Sequence, residues 1–151
     1  MASVTVKDES VSSSKIREYI KNSEIEKANI LLGRPYAVTA EVINGKHLGR
    51  NLGFPTINQK IDENLGKPAN GVYLTKVKLN NTSYFGITNV GTQPTVNGSD
   101  VVVETYIFDF SAIIYIKEIK IEFLQYLRDI KKFNSAIELK QQIERDKEYF
   151  K

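Results

Sequence analysis

The chain changes its hydrophobic period once, at Gly33-Arg34-Pro35, and that switch limits the folds open to it. Before it, apolar residues recur at helical spacing. Ser12-Ser13-Ser14 precede a helix whose Ile16, Tyr19 and Ile20 share one face. Ser23, with Glu26 three residues on, reads as a capping box opening a second helix, whose stripe is Ile25, Ala28 and Leu32. Gly33 supplies a left-handed stop. After the switch, residues 36 to 128 read as strands and turns. Tyr36, Val38, Ala40 and Val42 alternate with polar residues up to the turn Asn44-Gly45. Gly71 to Leu79 and Thr82 to Asn89 form a hairpin around Asn80-Asn81. Val101 to Phe110 is a further strand, and Ile113 to Leu127 gives one or two more, with Ile119, Ile121 and Phe123 on one face. Two stretches, Lys46 to Asn70 and Val90 to Asp100, read as irregular. Strands without interleaved helices require an antiparallel sheet, most economically closed as a small barrel. A last helix follows Ser135, with Glu138 completing a capping box and Ala136, Leu139, Ile143 and Phe150 on its apolar face.

Composition narrows the chemistry. With 151 residues, 41% hydrophobic and 26% charged, the chain is sized for one ordered domain with a short appendage. It has no apolar run of about 18 residues, so no membrane span is expected, and Met1 to Ser14 lacks the pattern of a signal peptide. No cysteine is present, which excludes disulfides and thiolate chemistry and fits a cytoplasmic setting. His47 is the only histidine, an expected exposed loop residue, so a conventional triad or His-ligated metal is not expected. The net charge of +3 has no run longer than Lys131-Lys132 and suits an anionic small substrate as well as a polyanion. Carboxylates, hydroxyls, amides and cations remain for catalysis.

Four groups of residues could use that menu. Gly49-Arg50-Asn51-Leu52-Gly53-Phe54-Pro55 has the glycines and the cation of a phosphate-cradling loop, though it is neither a P-loop nor a Rossmann fingerprint; an ordinary surface loop reads the same way. Thr56 and Asn58 point the same way from an extended segment and offer hard oxygens suited to Mg²⁺; local turn bonding is the alternative. Glu104 shares its strand face with Val102, Tyr106 and Phe108 and so loses solvation, the condition that suits a carboxylate to act as a base. Alternatively it pairs with Arg128 or faces water. Arg128-Asp129 and Lys131-Lys132-Phe133 end the sheet, either as a solvated helix cap or as a lid. The many strand aromatics line a ligand pocket or are plain core.

Six segments then occur in order: Leu31 to Tyr36, Gly49 to Asn58, Asn70-Gly71-Val72-Tyr73, Gly86 to Thr95, Glu104 to Phe110, and Phe123 to Asp129. Together they closely resemble the riboflavin kinase module of bacterial bifunctional riboflavin kinase/FAD synthetase, over roughly residues 31 to 150. The resemblance implies a six-stranded antiparallel Greek-key barrel with N-terminal helices and a C-terminal helix. It also implies transfer of the ATP γ-phosphoryl group to the 5′-hydroxyl of riboflavin, giving FMN, with Mg²⁺. By that resemblance Glu104 is the general base, and Thr56 and Asn58 are the metal site. Gly49, Arg50, Gly53, Phe54 and Pro55, with Thr56 and Asn58, hold ATP; Arg128, Asp129 and Phe133 hold the flavin. Val11 to Arg17 resembles the closing motif of the adenylyltransferase module that precedes such kinases. The expected division is therefore residues 1–33 as the end of that module with a linker, and 34–151 as the kinase, with the missing adenylyltransferase domain as partner.

The sequence departs from the family pattern at three positions. Tyr106 stands where histidine is frequent, Ile116 where glycine is usual, and Ile130 where an acidic residue often follows Arg-Asp. Two other readings remain: a flavin- or nucleotide-binding module with little activity of its own, and an oligonucleotide-binding barrel. The kinase reading expects small-molecule substrates, with neither nucleic acid nor membrane as partner.

Overall fold

The computed structural model describes residues 6–43, 56–61, 67–79, 81–96, 98–108, 118–130 and 135–148. Two helices, α1 (Val6–Lys21) and α2 (Ile25–Leu32), lead into six strands: β1 (Tyr36–Ile43), β2 (Thr56–Ile61), β3 (Gly71–Leu79), β4 (Thr82–Thr95), β5 (Gly98–Ile107) and β6 (Glu118–Arg128). A last helix, α3, spans Ala136–Lys147. The strands close in the order β1-β2-β5-β4-β3-β6, every neighbouring pair antiparallel, with β6 returning to β1. This is the expected closed six-stranded barrel. Among the described residues no helix is long and apolar enough to cross a membrane.

Strand alternation sorts the side chains into two clusters. Ile57, Tyr73, Val77, Val90, Val103, Ile107, Ile121 and Phe123 fill the interior, and Ile20, Ile25 and Ala28 of the N-terminal helices belong to the same cluster. Asn29 fastens α2 there: its amide donates to Phe123 O at 2.8 Å, and its Oδ1 accepts from Tyr36 N at 2.7 Å. The alternate residues Val72, Leu74, Ile87, Tyr106 and Phe108 point outwards and are covered by Leu139 and Ile143 of α3. Ser135 caps α3 as expected, its Oγ accepting from Glu138 N at 3.2 Å. Ala136 and Phe150 side chains lie outside the described residues.

Four local expectations are corrected. Ser12-Ser13-Ser14 lie inside α1, which begins at Val6, rather than before it. Ser23 does not open α2. It has φ +66°, Glu24 stands at the cap position without a side-chain cap bond, and Glu24 N reaches back to Tyr19 O at 2.8 Å. That back-bond is the left-handed closure of a preceding helix, so Ser23 ends α1. The stretch read as irregular from Lys46 to Asn70 contains β2. The stretch Val90 to Asp100 is strand on both sides of a short turn, with Pro94 facing Ser99 near the hairpin tip, where the ladder is about to end. Gly33, with φ +73°, stops α2 as expected.

Candidate active site

β5 lies between β2 and β4, so its outward residues have neighbours on both sides. Asn58 stands opposite Glu104 across the β2–β5 ladder, and Asn89 stands opposite Glu104 across β4–β5. One step along the strand, Tyr106 faces Thr56 on one side and Ile87 on the other. Directly opposed Cβ atoms lie about 4.5–5.5 Å apart, so Thr56, Asn58, Glu104 and Asn89 form one patch. The phase of β2 is held from inside: the Gln59 amide donates to Ala40 O at 2.8 Å and to Ile119 O at 2.9 Å. With Gln59 and Ile57 inward, Thr56 and Asn58 must face out.

Glu104 is half-buried, and Tyr106 Oη donates to its Oε1 at 2.6 Å. Tyr106 is only 3% exposed. Burial first, then the Glu104 hydrogen bond and charge, push its phenol well above the ordinary tyrosine range, so the hydroxyl keeps its proton. The alternative that Arg128 neutralises Glu104 is not realised. Arg128 Nη2 pairs with Asp146 Oδ2 of α3 at 2.9 Å, the two side chains being 18% and 2% exposed. Asp146 Oδ1 also accepts from Gln142 Nε2 at 2.9 Å, and Gln142 Oε1 accepts from Arg145 Nη2 at 3.0 Å.

A cleft runs from this patch to α3, lined by Ile87, Asn89, Tyr106, Arg128, Ile130, Leu139 and Ile143. Its exposed lining is polar and apolar in about equal measure, Asn89 and Arg128 supplying an amide and a guanidinium. The enclosed space is only about the size of a water molecule, so a larger ligand would lie across the mouth of the cleft, near Asn89 and Arg128.

The structure thus brings Glu104, Asn58 and Thr56 together and sets Arg128 on the adjoining cleft. It does not bring Asp129 into the cleft; that carboxylate is exposed and accepts from the Tyr126 hydroxyl, whose ring packs on Tyr73. Gly49, Arg50, Gly53, Phe54, Pro55 and Phe133 lie outside the described residues, as do His47 and Ile116. Asn89 and Asp146 escaped the sequence reading. Asn89 could be found only by registering β4 against β5, and Asp146 only through its i, i+4 partner Gln142 on α3.

Among the described residues no group of three or more His, Cys, Asp or Glu side chains could hold a metal ion. A cation here would rest on neutral hydroxyl and amide oxygens, a donor set that fits a hard ion arriving with its own anionic ligands.

The family model of riboflavin kinase matches residues 32–151. The chain belongs to the riboflavin kinase family. It is 39% identical over 148 residues to a Bacillus subtilis bifunctional riboflavin kinase/FMN adenylyltransferase, covering 96% of this chain and 47% of that protein. A Haemophilus influenzae protein of the same description is 42% identical over 139 residues, covering 91% of this chain and 45% of its own. The chain therefore spans about half the length of these relatives. Among solved structures, a Streptococcus pneumoniae protein described as macrolide-efflux superimposes with a TM-score of 0.80 at 33% identity, over 90% of this chain and 45% of that one.

Proposed function

We propose that this chain is an ATP-dependent riboflavin kinase, transferring the γ-phosphoryl group of ATP to the riboflavin 5′-hydroxyl to give FMN. The observation that carries the reading is the pairing of Glu104 with Asn58 across β2–β5, one step from Thr56 and beside a small cleft lined by Asn89 and Arg128. The isoalloxazine ring lies at the mouth of that cleft, against Ile130 and beside Arg128, because the space under Leu139 and Ile143 is already filled by Ile87 and Tyr106. The ribityl chain then runs past Asn89, and its terminal hydroxyl meets Glu104. Glu104 accepts the hydroxyl proton while the O5′–Pγ bond forms and the bond from Pγ to the β-phosphate oxygen breaks, its electron pair leaving on ADP. Phosphoryl transfer asks little covalent chemistry of the protein, so alignment and charge neutralisation supply most of the rate. Thr56 and Asn58 would hold Mg²⁺ with the nucleotide, and bound there the ion would neutralise developing phosphate charge. The loop bearing Gly49, Arg50, Gly53, Phe54 and Pro55 belongs to the same proposal as the phosphate cradle, with Phe133 as a flavin contact and Asp129 as a flavin contact made outside the cleft, once its bond to Tyr126 is released.

The start of the family match at residue 32 supports the division into residues 1–33 and 34–151. The relatives' descriptions support an adenylyltransferase domain as partner in the longer protein. ATP as co-substrate supports a cytoplasmic setting.

The test is incubation with riboflavin, ATP and Mg²⁺, followed by chromatography for FMN. FMN that appears only when all three are present is the expected result. Flavin binding without FMN would instead make the chain a binding module.

A further inference from the structure

The Tyr106–Glu104 contact belongs to this chain's own geometry. A glutamate on a strand surface rotates about three side-chain torsions, and a general base is useful only when its acceptor oxygen is held within hydrogen-bond reach of the proton it takes. Here one carboxylate oxygen is already occupied, by a hydroxyl 2.6 Å away. The donor is itself held: its ring packs in the outer cluster with Ile87, Leu139 and Ile143. Its proton is retained, because burial disfavours the phenolate. Residues i and i+2 of a strand share a face, so the hydroxyl reaches back along β5 to Glu104 without crossing to another element.

Resting on the kinase reading, we propose that Tyr106 is the positioning residue of the reaction: it ties down Glu104 Oε1 so that the second carboxylate oxygen alone faces the substrate hydroxyl. Tyr106 forms no bond to the transferred group and takes no proton. Its effect passes through Glu104, and the anchorage of its ring links the α3 face to the base.

The experiment compares wild type, Tyr106→Phe, Glu104→Gln and the double variant in FMN formation. Phenylalanine keeps the ring and its packing and removes only the tether. A hydrogen bond to a charged group is expected to change kcat by about tenfold, with KM for riboflavin and ATP within about twofold of wild type. Because the hydroxyl acts through the carboxylate, the double variant should be no slower than Glu104→Gln within about twofold. A further tenfold loss in the double variant, or a loss in Tyr106→Phe that lies wholly in KM, overturns the proposal. A second measurement does not depend on that variant folding. In wild-type protein the Tyr106 hydroxyl proton should give a slowly exchanging downfield NMR signal that disappears in Glu104→Ala. A signal unchanged in Glu104→Ala overturns the contact. Failure of the parent reading looks different, as a wild-type protein that makes no FMN.

Discussion

The two faces of β5 carry similar polar residues to opposite ends. Inside the barrel, Thr105 is linked to Thr88 at 2.8 Å and Thr88 to Thr75 at 2.9 Å, a hydroxyl ladder across three strands with all three residues fully buried. Outside, one residue away on the same strand, Glu104 spends one oxygen on Tyr106 and stands between two amides beside a cleft. The inner groups satisfy one another, which removes the cost of burying them and leaves them no chemistry. The outer groups are held by their neighbours but keep acceptor capacity for a ligand. A closed barrel separates these tasks by strand parity alone, so a face can be specialised without disturbing the core.

The comparison breaks most visibly if the outer base is neutralised. Glu104→Gln should lower kcat by about 10²–10⁴-fold, or ~3–5 kcal/mol of barrier, with the thermal midpoint and flavin binding near wild type. Rates within threefold of wild type would remove Glu104 from the chemistry. Next is the latch under the cleft. Asp146→Ala leaves Arg128 partly buried without its ion partner and should cost about 3 kcal/mol by urea unfolding while raising the riboflavin KM. An unchanged KM would separate α3 from the flavin site. The inner face should answer in stability only: Thr88→Val breaks both ladder links, at about 1–3 kcal/mol, and leaves kcat as it was. A fall in kcat there would show that the two faces are coupled. The smallest effect marks the edge of the outer patch. Lys60, paired with Asp100 at 3.3 Å and largely solvated, lies one outward step beyond Asn58. Lys60→Ala should change stability by under about 0.5 kcal/mol and leave turnover intact.

Much of this division is legible in the sequence, and the reason is periodicity. Alternation alone puts Glu104 with Tyr106 and Phe108, and Thr56 with Asn58, on shared faces. Local readings fail where a residue has two uses. Ser23 followed by Glu26 has the letters of a capping box, but the backbone bonds of Glu24 make it the end of the preceding helix. Gly91, Pro94 and Gly98 look like loop punctuation, yet Gly91 sits mid-ladder opposite Val102, and Pro94 and Gly98 lie near the tip of the same long hairpin. With that hairpin unread, β4 could not be registered against β5, and Asn89 had no visible relation to Glu104. The Arg128 partner depended on α3 folding back over the sheet, which no local pattern encodes. β6 adds a further example: its register against β3 shifts twice, so that Tyr126 pairs with Tyr73 and Arg128 with Val72, and no glycine in that strand announces the bulges.

The central claim is that phosphoryl transfer takes place on the outer face of β5, and a crystal structure with ADP, Mg²⁺ and FMN tests it most directly. The account predicts the FMN ring at the mouth of the cleft beside Ile130 and Arg128, with its phosphate end beside Glu104 and the nucleotide phosphates against Thr56 and Asn58. Flavin or nucleotide bound on another face of the barrel, with Glu104 out of reach of the phosphate ester, would contradict it.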